Sequence, residues 1–562
     1  MNKYKVIILS LLIGLMGTTS CEDWLYENVN EDAAHEVLPE QVFPIVLFYS
    51  AQLQFDHAEY GTYLSQTLTT GGRSQSSSFA YKAGWGDFLT MNRHPQWRRH
   101  FYDIGTNAKE IIDGAHKAQA WNLEILARTL RLMSTQMTTD LFGDMPRSEA
   151  YESNSPKYDT QESIYEWMYQ EIDELIDMYE DPACTEAATN IPMDQSMDRV
   201  FAGDLNKWKH YAYALKARLL LRKLPNWSNN AATCKEIINA VDKALEGWED
   251  VLYHFDGGNG AQNSPWGEAF GQAEQGGLGW EGRGNMLGSA IPTKYFMENI
   301  LGVFDRNSNL IGWAEDPRIL AFMSARSGPA SDPSTKMRYL DTNIGMDVSY
   351  KVDNYPNLFP EVDGKKVSVY TQNTGYVPLF LEEELILIKA EATYWLGNKT
   401  AARALTMQAA EVSFDRFINP ANNISIYSEA NYKRYRNNYL GGSGKYVTNY
   451  FPADGFNIGH LMRQKYVCLY LQPEQWTDMR RYNYSCEDNR IQYDNTYVYP
   501  GLKRPNNIYE AHWGSNDSKD SKPWINRINY DPETEEKYNK AELERLGAYK
   551  NHLWLRKPMI WQ

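Results

Sequence analysis

The chain has 562 residues, with 72 Asp and Glu against 56 Lys and Arg, a formal net charge of −16, and Tyr, Trp and Phe making up 13 % of it. That length can bury a large core and suits several domains or one large helical one. The acidic balance with scattered cations excludes a nucleic-acid partner, which needs clustered positive charge, and no CxxC pair or Cys/His cluster points to a metal or implies a cofactor.

Residues 1–20 read as a secretory signal: Lys3 and Lys5 precede a largely apolar run, Val6 to Met16, that is too short to span a bilayer. Thr18, Thr19 and Ser20 before Cys21 resemble the lipobox of bacterial lipoproteins, in which the cysteine becomes the acylated N-terminus. Thr18 stands where that motif usually has Leu, so a plain cleaved signal and a retained anchor stay open. Glu22 and Asp23 resemble the acidic surface-export signal of Bacteroidetes lipoproteins, and residues 21–38 read as an acidic tether. With Cys21 lipidated, Cys184, Cys234, Cys468 and Cys486 are left for disulfides or buried thiols.

Pro39 opens a helix over Gln41 to Phe55, followed by a Gly/Ser-rich loop from Thr67 to Phe79. Helical spacing predicts a pair, Trp97 to Lys117 with Asn122 to Met137. Asp159 with Glu162 reads as a capping box for Gln161 to Tyr179, and Asp204 caps Leu205 to Lys223, whose partner is Cys234 to Glu246. The clearest hairpin is Val377 to Ile418. Leu381, Leu385, Ile388, Ala392 and Trp395 line its first helix, Gly397-Asn398 stops it, and Ala402 and Ala409 fall where a tetratricopeptide unit wants small residues. One such pair cannot bury both faces, so others must stack on it. A short helix is expected around Leu461 to Leu471. Residues 257–376 and 484–562 are irregular and loop-rich. The expected fold is mainly α, one domain over 39–562 in which helix pairs support a loop-rich face.

Enzyme motifs fail. GLGWEG at Gly277 to Gly282 has no preceding strand, GGSGKY at Gly441 to Tyr446 lacks the first glycine and the final Ser or Thr of a P-loop, and neither HExxH nor G-x-S-x-G occurs. No catalytic residue is expected.

TTDLFGDMPRSEAY (Thr138 to Tyr151), YDTQESIYEWMYQEIDELI (Tyr158 to Ile176), GDLNKWKHYAYALKARLLLR (Gly203 to Arg222), LILIKAEATYWLG (Leu385 to Gly397) and EQWTDMRRYNY (Glu474 to Tyr484) resemble, in order, segments of the SusD/RagB family of outer-membrane nutrient-binding lipoproteins. The resemblance implies a tetratricopeptide-like helical body, lipid-anchored in the outer membrane and facing outward. It would act as a hinged lid on a SusC-like TonB-dependent barrel, capturing oligosaccharide, or alternatively oligopeptide. A secreted glycosidase and a structural tetratricopeptide scaffold are the competing classes. Asp140, Asp144, Arg480, Arg481 and Glu391 read as turn and ion-pair residues. Ligand contacts are expected where aromatics sit beside Gly and Ser: Tyr81 and Trp85 with Arg73 in the first loop, and Trp266 and Trp280 flanked by Asn263 and Arg283 in the second.

Overall fold

The computed structural model describes residues 38–69, 85, 94–258, 260–270, 286–288, 290–303, 314–324, 355–362, 365–422, 426–505, 508, 510–514 and 523–562. The fold is mainly α. Its first helix, α1 (Pro39–Leu64), starts on a proline whose fixed φ suits the first turn and runs past the predicted end at Phe55. From Ser50 to Leu64 every residue is buried. The polar members Asp56, His57 and Glu59 therefore lie inside the protein, and they hide the second half of the helix from a search for an apolar stripe.

A row of helices packs beside α1, each element on the next: α2 (Asn107–Ala118), α3 (Trp121–Phe142), α4 (Gln161–Glu180), α5 (Leu205–Leu221), α6 (Ala231–Leu245), α7 (Glu382–Trp395) and α8 (Lys399–Ile418). The hairpin α7/α8 turns at Gly397, whose φ of +96° favours glycine, and Asn398 caps α8 by accepting from Ala401 N at 3.0 Å. Asp204 caps α5 as the sequence predicts, taking Asn206 N at 2.9 Å and Lys207 N at 3.2 Å. At α4 the cap is displaced by one residue. Thr160 accepts from Ser163 N, while Asp159 turns back to accept from Arg147 N and Ser148 N, both at 2.8 Å, and so holds the preceding loop.

Between α6 and α7 the chain makes a long excursion, yet the two helices pack directly. An antiparallel ladder, Val251–His254 against Tyr376–Phe380, brings the ends of the excursion together. After α8 come α9 (Glu429–Leu440), α10 (Ile458–Cys468) and α11 (Glu474–Arg481). Sequence periodicity passed over α9 because tyrosine, asparagine and arginine dominate YKRYRNNYL.

The row is fastened by buried ion pairs. Arg218 on α5 forks onto Glu384 of α7 with two 2.8 Å bonds. Arg222 bridges Asp140 at the end of α3 (3.0 Å) and Glu474 on α11 (2.7 Å). Arg481 forks onto Glu391 of α7 at 2.8 and 2.9 Å, where Lys465 of α10 and the Tyr482 hydroxyl also arrive. Charges this deep persist because each has partners. Arg480 lies over the Trp476 ring at 3.8 Å and donates to the Asn526 carbonyl, and Asp144 accepts from Gln161 N. These residues thus fix turns and helix contacts, as their sequence context suggests. The segment from residue 523 returns to the end of α3, where Ile528 N meets the Leu141 carbonyl and Trp561 Nε1 meets Asp140 Oδ1 at 3.1 Å. Cys184, Cys234, Cys468 and Cys486 are free thiols. Among the described residues no helix is long and apolar enough to cross a membrane.

Candidate functional site

Of the residues expected to serve as anchor or ligand contacts, Cys21, Arg73, Tyr81, Trp280 and Arg283 lie outside the described residues. The other three have packing roles. Trp85 is 1 % exposed, 5.6 Å from the Trp524 ring, and its carbonyl meets His512 Nε2. Trp266 is also 1 % exposed and stands edge-on to Phe55 of α1 at 4.6 Å. Asn263 is buried and clips its own loop, accepting from Gly258 N at 3.2 Å and donating to the Gly258 carbonyl at 3.0 Å. A ring so enclosed has no face left for a sugar. The expectation of open platforms at these positions is corrected: glycine and serine neighbours give a loop, but α1, far upstream in sequence, fills the space beside Trp266.

The open aromatic surface lies elsewhere. Among the described residues the only exposed Phe, Tyr or Trp side chains are Tyr102 (54 %), Tyr151 (37 %) and Tyr538 (66 %), and all three line one cleft of about 720 Å³. Three separate stretches build it. The first is the turn Pro95–Arg98 and a π-helix, Arg99–Thr106, that leads into α2. Its wider turn is pinned inside by His100, bonded to Ser134 at 2.7 Å, and by Arg99, bonded to Asp56 and Asp103, and it leaves Tyr102 facing outward. The second is the loop after α3. Tyr151 there adopts φ +73° and lies against Gly105, where an added Cβ would meet the tyrosine oxygen and fall 2.6 Å from the fixed His100 carbonyl, so glycine is needed. The third is the turn Glu535–Tyr538, fixed to the second by Ser155 Oγ donating to the Tyr538 carbonyl (2.6 Å) and by Asn539 Nδ2 donating to the Pro156 carbonyl (2.8 Å).

Trp97 and Glu535 form the floor. The indole Nε1 donates to Glu535 Oε1 at 3.1 Å, and the Tyr158 hydroxyl donates to the same carboxylate. Burial pushes the Glu535 carboxyl above the usual glutamate range, against those bonds. Burial first, then the Glu535 and Asp531 charges, raise the Tyr102 phenol, and burial raises Tyr151. These hydroxyls therefore stay protonated at neutral pH, able to donate and accept. Glu152, Ser153 and Asn154 add polar groups at the rim. Apolar ring faces beside a few hydroxyl-matching groups suit a sugar: its C–H face stacks and its hydroxyls bond. Among the described residues no three His, Cys, Asp or Glu come together to hold a metal ion.

Residues 57–499 match the SusD-like family, whose description reads starch-binding, associating with outer membrane. The chain belongs to the SusD-like family. Solved structures share its fold at low identity. A SusD/RagB family protein of Bacteroides thetaiotaomicron matches with a TM-score of 0.64 and 17 % identity, over 94 % of this chain and 99 % of that one. A SusD homologue of Bacteroides fragilis gives 0.59 and 16 %, over 94 % and 99 %. A chitin-binding SusD homologue of Flavobacterium johnsoniae gives 0.58 and 16 %, over 93 % and 97 %. A comparison with curated proteins finds no match. The family and the mainly α SusD-like fold read from the sequence are those observed.

The cleft residues escaped the sequence reading. Tyr102 sits in an apparently regular helix, and Tyr151 and Tyr538 are single tyrosines in unremarkable loops. The signal that could have found the first is its place in RHFYDIG, two polar-flanked rings beside a glycine that breaks helical propensity.

Proposed function

We propose that this SusD-like protein is a cell-surface lipoprotein, anchored through Cys21, that captures oligosaccharide in the tyrosine cleft and delivers it to a SusC-like TonB-dependent barrel. The observation that carries the binding step is the convergence of every exposed aromatic ring among the described residues on one cleft. The starch-binding description of the family and the chitin-binding relative favour glycan over peptide cargo. Arg73, Tyr81, Trp280 and Arg283 belong to this proposal as further contacts from other loops. Capture, not hydrolysis, fits Glu535, whose carboxylate is already bonded to Trp97 and Tyr158. In this reading residues 1–20 are removed, 21–38 tether the body, and 39–562 act as one unit.

Calorimetry with starch-derived and chitin-derived oligosaccharides and with oligopeptides tests the cargo. Binding of an oligosaccharide is expected, and binding of peptides alone overturns the glycan reading. Cys21→Ala is expected to leave the fold intact and move the protein from the membrane to the soluble fraction in cells lacking the barrel. Stable anchoring needs more than one acyl chain, as a lipidated cysteine supplies. Co-purification of a TonB-dependent barrel with the wild-type protein tests delivery, and a protein that never brings one down refutes it.

A further inference from the structure

The walls of the cleft carry a charge pattern that discriminates among glycans, a point that rests on the cleft being the ligand site. Among the described residues that line it, the acidic ones are Glu152 and Glu535, and no Lys, Arg or His is with them. Several cations around the cleft have acidic partners, and Arg131, whose charge acts on the Tyr151 phenol from behind, lies 3.9 Å from Glu171. Lys109 pairs with Asp113 at 2.6 Å, Arg99 is buried against Asp56 and Asp103, and Lys157 faces Glu149 at 4.0 Å. Behind the floor sits a further carboxylate, Asp531, bonded to His94 N at 2.7 Å. The Tyr102 phenol is raised by burial first and then by the Glu535 and Asp531 charges. The tyrosine faces themselves present the negative side of their quadrupoles.

We infer that the cleft accepts glycans of uncharged sugar units and rejects uronate or sulfated ones. A neutral hexose gives the rings its C–H face and the rim carboxylate, Ser153 and Asn154 its hydroxyls. A carboxylate or sulfate in the same place would lose water, find no cation and face Glu152 and Glu535, and an unpaired charge in a desolvated site is strongly disfavoured. Discrimination of this kind comes from repulsion built against the wrong ligand rather than from extra contacts to the right one. The volume of about 720 Å³ lies in the range of small-molecule sites and suits a few sugar units.

The test is calorimetry on the full-length protein with pentasaccharides of matched size: maltopentaose, cellopentaose and chitopentaose against a galacturonate pentamer. At low salt the best neutral ligand is expected to bind at least about tenfold more tightly than the galacturonate. Glu152→Gln, and separately about 0.5 M salt, are expected to narrow that ratio, because the one removes a repelling charge and the other screens it. Tyr102→Ala and Tyr538→Ala, each shown to be folded by circular dichroism, are expected to weaken the best ligand. Galacturonate binding as tight as the best neutral sugar and lost in Tyr102→Ala overturns the charge selection and leaves the cleft standing as the ligand site. Unchanged affinity of the best ligand in both tyrosine variants overturns the cleft itself, and this inference with it. Failure of all three neutral pentasaccharides to bind overturns it too.

Discussion

Tyrosines and carboxylates occur together in two regions of this protein and do opposite things. In the ion-paired interior, Tyr165 gives its hydroxyl to Asp140 and Tyr482 gives its hydroxyl to Glu391, and Arg222 and Trp561 on the one and Arg481 and Lys465 on the other complete their bonding. In the cleft, Tyr102, Tyr151 and Tyr538 remain exposed to solvent. The chemistry of the side chains is the same. What separates them is whether the surrounding elements leave a face unused: interior pairs are satisfied within the protein and fix it, and cleft residues are held from behind with one side free for a ligand.

The contrast can be broken at either end. Glu391→Ala takes one of the two carboxylates from buried Arg481 and Lys465, leaving both to share Asp478, and is expected to cost about 3 kcal/mol in chemical denaturation. Affinity per folded molecule should not change. Trp266→Ala removes a buried ring packed on α1 and is expected to cost about 3 kcal/mol in the same measurement. A stable variant with weakened ligand binding would return Trp266 to the role its loop suggested. Tyr102→Ala and Tyr538→Ala should do the reverse of Glu391→Ala. We expect thermal unfolding to be nearly unchanged and oligosaccharide binding weaker by about 1–3 kcal/mol, the scale of ring stacking.

The interior also has a pH signature. Burial lowers His57 and His100 from 6.5 to about 3, so between those values the unfolded chain holds protons that the folded one refuses. The resulting stability is complete above the unfolded value and is lost as the pH falls below it. At pH 5.5 each histidine is expected to have cost about 1.4 kcal/mol relative to pH 7. Glu391 and Glu474, both lowered to about 2, add to the loss only below about pH 4.5, their unfolded value. Glu535 and Asp531, raised by burial, oppose it. Denaturation midpoints of His57→Gln and His100→Gln should fall less steeply than wild type between pH 6.5 and 4.5. An equally steep fall would assign the acid sensitivity to other groups.

What the sequence made legible was local. Gly397 with Asn398, the Asp204 cap and the α7/α8 apolar face depend on residues within one or two turns of each other, and the structure has them all. The Asp159 cap was misplaced by one position because Asp and Thr are adjacent and both can cap. Which one does so is settled by the loop at Arg147, whose N–H groups need the aspartate. The cleft was illegible for two physical reasons. Its walls come from stretches near residues 100, 150 and 535, so no window contains it. In addition, an exposed tyrosine on a helix is an ordinary surface residue, so Tyr102 carries no mark of a ligand contact until the other two walls stand beside it. The charge-pairing of the interior was visible as residue types, whereas its partners, such as Arg218 and Glu384, were not, because they lie 166 positions apart.

Asp140 acquires its partners in a fixed order of synthesis. Tyr165 follows it by 25 residues, Arg222 by 82, and Trp561, whose indole takes the same oxygen as Tyr165, by 421. At about 5–20 residues per second of translation, the indole emerges roughly 20 to 80 s after the carboxylate it caps. A nascent chain halted after α11 would contain every helix of the row and still have the end of α3 unsealed. The segment from residue 523 is thus a late fastening, because the end of α3 reaches its final set of bonds only after residue 561 has been made.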